Sequence, residues 1–130
     1  MRKIKIALCD DQYSVYDTIN DLLEEYSKKT KIEYTLSYFD KPQNLLNQKK
    51  IYDAIFLDID MPGMDGIELG KRLRRLGVPS IIVMITGYGE RADEPYLFGA
   101  ARFLLKPVNR EKFFEAVNYI VKALQVERKI

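Results

Sequence analysis

A chain of 130 residues, 47% of them hydrophobic, is the size of one domain with a full core. Its 21 basic and 19 acidic residues leave a net charge of +2, which argues for no nucleic-acid surface. Histidine is absent, so neither a Ser-His-Asp or Cys-His site nor a histidine-ligated metal can be built. Any chemistry must use carboxylates, hydroxyls, lysines or a hard metal ion. The longest apolar run, Ile81 to Ile85, is far too short to span a membrane. The N-terminus "MRKIKIALCDD" reaches aspartate too soon for a secretory signal. One cysteine and no disulfide framework suit a reducing, cytoplasmic compartment.

The predicted elements alternate between strand and helix. "KIKIAL" (Lys3–Leu8) alternates polar and apolar residues, then turns apolar, and reads as a strand. Val15, Ile19, Leu22, Leu23 and Tyr26 share one helical face. "EYTLSYF" (Glu33–Phe39) alternates at period two, and a short segment with Leu45 and Leu46 reads as a helix. "AIFL" (Ala54–Leu57) is a buried strand that runs straight into Asp58, with Asp60 two places on. Met61-Pro62-Gly63 then turns the chain, and Asp65 is placed to cap a helix from Gly66 to Leu76 that Gly77 and Pro79 stop. "SIIVMI" is the most buried-looking strand. Residues after Gly89 read as helical, although Pro95 limits that turn. "ARFLL" is a strand, and Phe113, Val117, Ile120, Val121 and Leu124 form a last amphipathic face. Basic Lys71, Arg72, Arg74 and Arg75 read as a solvated helix face, and Cys9 as a small buried hydrophobe.

Five such units joined by crossover-length connections imply a parallel sheet covered on both faces, a three-layer α/β domain. Asp10 and Asp11 end the first strand, Asp58 the third, Thr86 the fourth and Lys106 the fifth. In a parallel sheet these ends share one edge, where ligands bind beside the topological switch point. With strand order 2-1-3-4-5, Asp10, Asp11 and Asp58 sit together. Three clustered carboxylates repel one another unless a cation joins them, and oxygen-only ligands point to Mg²⁺ or a similar hard divalent ion such as Mn²⁺. At an effective dielectric of 20, unit charges ~4 Å apart interact by about 4 kcal/mol. A metal and Lys106 can therefore hold more negative charge than the carboxylates supply, a spare capacity that suits a phosphoryl group.

Taken singly, these signals are bland. Asp10-Asp11 alone reads as a helix start, Thr86 as a strand-end hydroxyl and Phe103 as core. Together, "CDD" at Cys9–Asp11, "LDIDMPGMDG" at Leu57–Gly66, "ITGY" at Ile85–Tyr88 and "GAARFLLKPV" at Gly99–Val108 appear in order across nearly the whole chain. In these pieces the chain resembles a response-regulator receiver domain, a flavodoxin/CheY-like doubly wound (βα)5 fold. "DMPGMDGIEL" and "FLLKPV" look most like receivers that precede a LytTR-type DNA-binding domain.

The resemblance implies roles. Asp58 matches the phospho-accepting aspartate, phosphorylated by a sensor histidine kinase to give an aspartyl phosphate. Asp10 and Asp11 match the acidic pair that holds Mg²⁺, and the backbone carbonyl of Asp60 a further ligand. Thr86 matches the switch hydroxyl, Lys106 the lysine that with the metal neutralises the transferring phosphoryl oxygens, and Phe103 the aromatic switch position. The Lys106-Pro107 bond is expected to be cis. The output implied is dimerisation of the receiver or control of a C-terminal LytTR-type DNA-binding domain; a stand-alone receiver acting by protein contact is the alternative. Residues 1–125 form the receiver, and "VERKI" (126–130) reads as the start of a linker. The implied domain is regulatory and not a turnover enzyme. "LDID" also resembles the paired aspartates of haloacid-dehalogenase-type phosphatases. In those the pair ends the first strand, whereas here it ends the third. The side chain of Asp60 is expected to affect cation affinity or dephosphorylation only if it faces the metal.

Overall fold

The structure is a computed structural model that describes residues 3–87 and 98–128. The helix expected after Gly89 lies outside those residues. The elements run β1 (Ile4–Cys9), α1 (Tyr13–Thr30), β2 (Tyr34–Phe39), α2 (Pro42–Leu46), β3 (Ala54–Asp58), α3 (Gly66–Arg75), β4 (Ile81–Thr86), β5 (Arg102–Leu105) and α4 (Arg110–Arg128). All four strand pairings are parallel, in the order β2-β1-β3-β4-β5. This is the order expected from the sequence.

The central strands carry apolar residues on both faces because both are covered. Ile4, Ile6 and Leu8 of β1, Phe56 of β3 and Val83 and Ile85 of β4 face α1 and α4. Ala7, Cys9, Ile55, Leu57, Ile82 and Met84 face the opposite way, toward α2 and α3. Phe56 stacks on Phe113 of α4 at 5.6 Å between ring centroids. The Tyr26 hydroxyl of α1 donates to Asn118 of α4 at 2.7 Å. Fully burying one such aliphatic or aromatic side chain contributes ~1.5–3 kcal/mol, so two apolar faces anchor the sheet firmly. At the edge strand β2 the expected alternation holds from Ile32 to Leu36 and ends at Ser37, which is half-buried like its neighbours. Both faces there are partly covered, so period two fades. Among the described residues, no helix is long and apolar enough to cross a membrane.

Helix α3 is tied at both ends. Asp65 caps it, its carboxylate accepting from the Glu68 N–H at 2.9 Å. Gly66 donates its N–H to the Ile59 carbonyl at 3.0 Å. A Cβ on Gly66 would sit 2.1 Å from the Asp58 carbonyl oxygen. Glycine is what lets the first turn of α3 press against the end of β3. The helix stops where Gly77 takes a φ of +78° and Val78 donates back to Leu73.

One expectation is corrected here. Arg74 does not belong to a solvated basic face. Its Nε donates to the Phe98 carbonyl, and its Nη1 to the Val78 and Ser80 carbonyls, each at 2.8 Å. The planar guanidinium joins the exit of α3 to Phe98, ahead of β5. Arg72 and Arg75, by contrast, are exposed partners of Glu68. Arg74→Ala is therefore expected to destabilise the fold by about 1–3 kcal/mol through stranded carbonyls. Arg72→Ala should cost roughly 0–0.5 kcal/mol, as exposed ion pairs do. Urea unfolding of the two variants side by side measures the contrast.

Candidate functional site

Parallel register assembles the site. Cys9 lies opposite Leu57, so Asp10 follows at the level where Asp58 ends β3. Asp58 pairs with Ile85, and Thr86 with Leu105. Lys106 comes next after β5, and its N–H donates to the Thr86 carbonyl at 2.7 Å. Carboxylate oxygens of Asp10, Asp11 and Asp58 all lie within 4.8 Å of one another. Asp10 and Asp58 are 0% and 1% exposed, while Asp11 opens to solvent. Beside Asp11 runs an open cleft lined by Lys41, Met61, Pro62 and Met64.

Lys106 Nζ stands 3.1 Å from Asp10 Oδ2 and 3.4 Å from Asp58 Oδ1. It donates to Gln12 Oε1 at 3.1 Å. Backbone donors hold the other side: the Gln12 N–H bonds Asp10 Oδ1 at 2.8 Å, and the Asp60 N–H bonds Asp58 Oδ1 at 3.1 Å. Among the described residues, Asp10 Oδ2 and Asp58 Oδ2 accept no hydrogen bond despite full burial. Lys106 approaches Asp10 Oδ2 as a charge, without hydrogen-bond alignment. Two orphaned buried oxygens beside a solvent-facing carboxylate are what a hard divalent cation would satisfy, and the donor set fits Mg²⁺ or Mn²⁺.

The charge balance shows in the acidities. Burial pushes the Asp58 carboxyl up to about 7, the neighbouring Asp10 charge adds to this, and Lys106 only partly opposes it. Asp10 is raised too, chiefly by burial. Burial alone would lower the Lys106 ammonium, but Asp10 and Asp58 more than offset it and raise its pKa. Cys9 is inert: burial pushes its thiol up to about 12, and its Sγ rests 3.8 Å from Met61 Sδ.

Thr86 is buried, and its hydroxyl donates to Asp60 Oδ2 at 2.6 Å. The exposed Asp60 carboxylate is thus turned to Thr86 and stands outside the acidic cluster, so the idea that it faces a metal is withdrawn. It is also occupied where a phosphatase reading would need a general acid. Phe103 is half-buried and packs on the α3 side of the sheet. The Lys106-Pro107 bond is cis, as expected. Gln12 and Tyr38 were not foreseen. Gln12 carries no signal beyond adjacency to the acidic pair. The Tyr38 hydroxyl donates to the Asp10 carbonyl at 2.8 Å, and its ring joins Tyr13 and Tyr16. The expected order already puts β2 next to β1; what it lacks is the register, Leu8 opposite Tyr38, that brings the hydroxyl to Asp10.

Asp58 binds its proton more tightly in the fold than in the unfolded chain, where it titrates near 3.8. As pH rises from about 4 to about 7, the metal-free fold retains that proton longer than the unfolded chain, so stability falls across this window. Asp10 acts in the same direction. Asp58→Asn is expected to flatten the slope and to stabilise the metal-free protein at pH 7 by about 1–3 kcal/mol. Added Mg²⁺ should restore stability to the parent but not the variant. Urea midpoints against pH test all three.

A family model for the response regulator receiver domain matches residues 6–118. The transcriptional regulatory protein LytR of Staphylococcus aureus is 28% identical over 123 residues, covering 90% of this chain and 47% of LytR. The sensory transduction protein LytT of Bacillus subtilis is 27% identical over 109 residues, 84% of this chain and 44% of LytT. The chain spans about half the length of the curated relatives it matches. Among solved structures, the response regulatory domain of mrkE from Klebsiella pneumoniae superposes with a TM-score of 0.83 at 24% identity, covering 94% of this chain and 98% of that one. A CheY-like receiver domain protein from Methanospirillum hungatei gives 0.80 at 22% identity, over 97% and 99%. With its acidic cluster at the switch point of a 2-1-3-4-5 sheet and a family match over most of its length, the chain belongs to the response regulator receiver domain family.

Proposed function

We propose that this receiver domain takes a phosphoryl group onto Asp58 from the phosphohistidine of a sensor histidine kinase and so controls a transcriptional output. The observation that carries this reading is Asp58 Oδ2, a buried carboxylate oxygen that among the described residues accepts no hydrogen bond, at the end of the central strand, with Lys106 beside the other oxygen. That oxygen attacks phosphorus, an O–P bond forms, and the P–N bond to the kinase imidazole breaks. The imidazole leaves with the electron pair. Asp10, Asp11, Asp58 and the backbone carbonyl of Asp60 would hold Mg²⁺ or Mn²⁺, which when bound neutralises phosphoryl oxygens. Lys106 pairs with the transferred group, and Gln12 steadies the ammonium in the meantime. Thr86 then turns its hydroxyl to the phosphoryl oxygens. Phe103, which carries no hydroxyl, follows by packing alone. The resulting charge biases a two-state surface around β5 and α4.

The similarity to LytR, named as a transcriptional regulatory protein, supports a DNA-binding output. On this reading residues 126–130 lead to a LytTR-type domain, the phosphorylated receiver dimerises, and the protein works in the cytoplasm.

Intact mass after incubation with Mg²⁺ and a small acyl-phosphate donor tests the site. One phosphoryl group should be added, and none should appear without Mg²⁺ or in Asp58→Asn. No adduct from the small donor or from a histidine kinase, together with no complex with beryllofluoride, would overturn the reading.

A further inference from the structure

We propose that Asp60 is a positioning residue that holds the Thr86 hydroxyl before phosphorylation, so that a phosphoryl group on Asp58 has to win Thr86 from a carboxylate of the same chain. The inference rests on the phospho-acceptor reading of Asp58 and adds to it a built-in competitor.

The bond is strong and well placed. Thr86 Oγ1 lies 2.6 Å from Asp60 Oδ2, in the short range of charge-assisted O–H···O⁻ bonds. Thr86 is 1% exposed, so water does not readily replace the carboxylate as acceptor. Asp60 is held by its backbone. Its N–H bonds Asp58 Oδ1 at 3.1 Å, and the preceding Ile59 N–H bonds the Ile85 carbonyl at 2.9 Å, extending the β3–β4 ladder past Asp58. Asp60 therefore stands over the end of β4, where Thr86 is. Gly66 secures the same turn from beneath through its bond to the Ile59 carbonyl.

A threonine hydroxyl has one proton to donate. It cannot serve the Asp60 carboxylate and a phosphoryl oxygen as sole donor to both. Moving Thr86 toward Asp58 breaks the bond to Asp60 and returns that exposed carboxylate to water. The cost of breaking it lowers the affinity of the switched state for its phosphoryl group. Asp60 thus sets how strongly Asp58 modification must pull before Thr86 moves.

Charge repulsion between Asp60 and an anion on Asp58 would also weaken binding, and a double-mutant cycle separates the two effects. The probe is beryllofluoride with Mg²⁺, titrated into the parent, Asp60→Ala, Thr86→Ala and the double variant. With Thr86 present, Asp60→Ala is expected to tighten binding about tenfold, the scale of one charge-assisted hydrogen bond. With Thr86→Ala the gain should shrink to about twofold or less, as expected once no hydroxyl is contested. In the probe-free protein, the Thr86 methyl resonance and couplings should report one rotamer, lost in Asp60→Ala and recovered in Asp60→Asn, whose amide oxygen still accepts. Equal tightening in both Thr86 backgrounds, or a Thr86 methyl indifferent to Asp60, overturns the competition while leaving the phospho-acceptor reading standing. Absence of beryllofluoride binding in every variant overturns that reading, and the competition with it.

Discussion

Asp10 and Asp58 are like charges placed side by side out of water, and Lys106 is the ammonium set against them. Unit charges ~4 Å apart repel by about 4 kcal/mol at an effective dielectric of 20. One lysine does not cancel this, which is why burial and Asp10 still push Asp58 up to about 7. The site is held together against its own electrostatics, and that requires stability from elsewhere. The apolar layers on both faces of β1, β3 and β4 supply it. An antiparallel sheet with one wet face would anchor two buried carboxylates less firmly.

Anchoring must also be accurate. A register slip of one residue in β1 or β3 would send Asp10 or Asp58 to the other side of the pleat. Pairing of Cys9 with Leu57 and Asp58 with Ile85 prevents this, and α3 reinforces it at the strand's end. Gly66 lies so close to the Asp58 carbonyl that no side chain fits between. The glycine that follows the helix-capping Asp65 is thus part of how Asp58 is positioned, although it touches no reacting atom.

Backbone pattern and motif spacing made much of this legible. Apolar runs such as "AIFL" and "SIIVMI" are long enough for two-sided strands and too short for helices, so a parallel sheet followed, and with it a shared edge for Asp10, Asp11, Asp58, Thr86 and Lys106. What escaped were long-range side-chain partners. Arg74 looks like any surface arginine until three carbonyls are seen to converge on it. Nothing in local sequence distinguishes it from Arg72 beside Glu68. Tyr38 needed the β2–β1 register as well as the strand order, and Gln12 needed the reach of Lys106 across the sheet edge. Asp60 was legible as an extra acid but not as the partner of Thr86, because the link joins the turn after β3 to the end of β4, 26 residues away in the chain.

These polar contacts divide into two kinds, and the division tells which parts can respond. Backbone N–H groups of Gln12 and Asp60 fix one oxygen each of Asp10 and Asp58, and they cannot move without unravelling the strand ends. Lys106 and Thr86 reach the site through side chains that have a second acceptor already in hand, Gln12 for the lysine and Asp60 for the threonine. On the proposed reading, a new negative charge at Asp58 would be answered by exchange of partners at these two side chains, with the carboxylates themselves held still. Each exchange leaves an acceptor behind. Both bonds are charge-assisted, through the ammonium at Gln12 and the carboxylate at Asp60, but Lys106 already stands beside Asp10 and Asp58 while Thr86 holds the shorter bond, 2.6 Å against 3.1 Å. On the proposed phospho-acceptor reading, the threonine, which must leave its partner to reach Asp58, is where this site would set its threshold, more than the lysine already beside it.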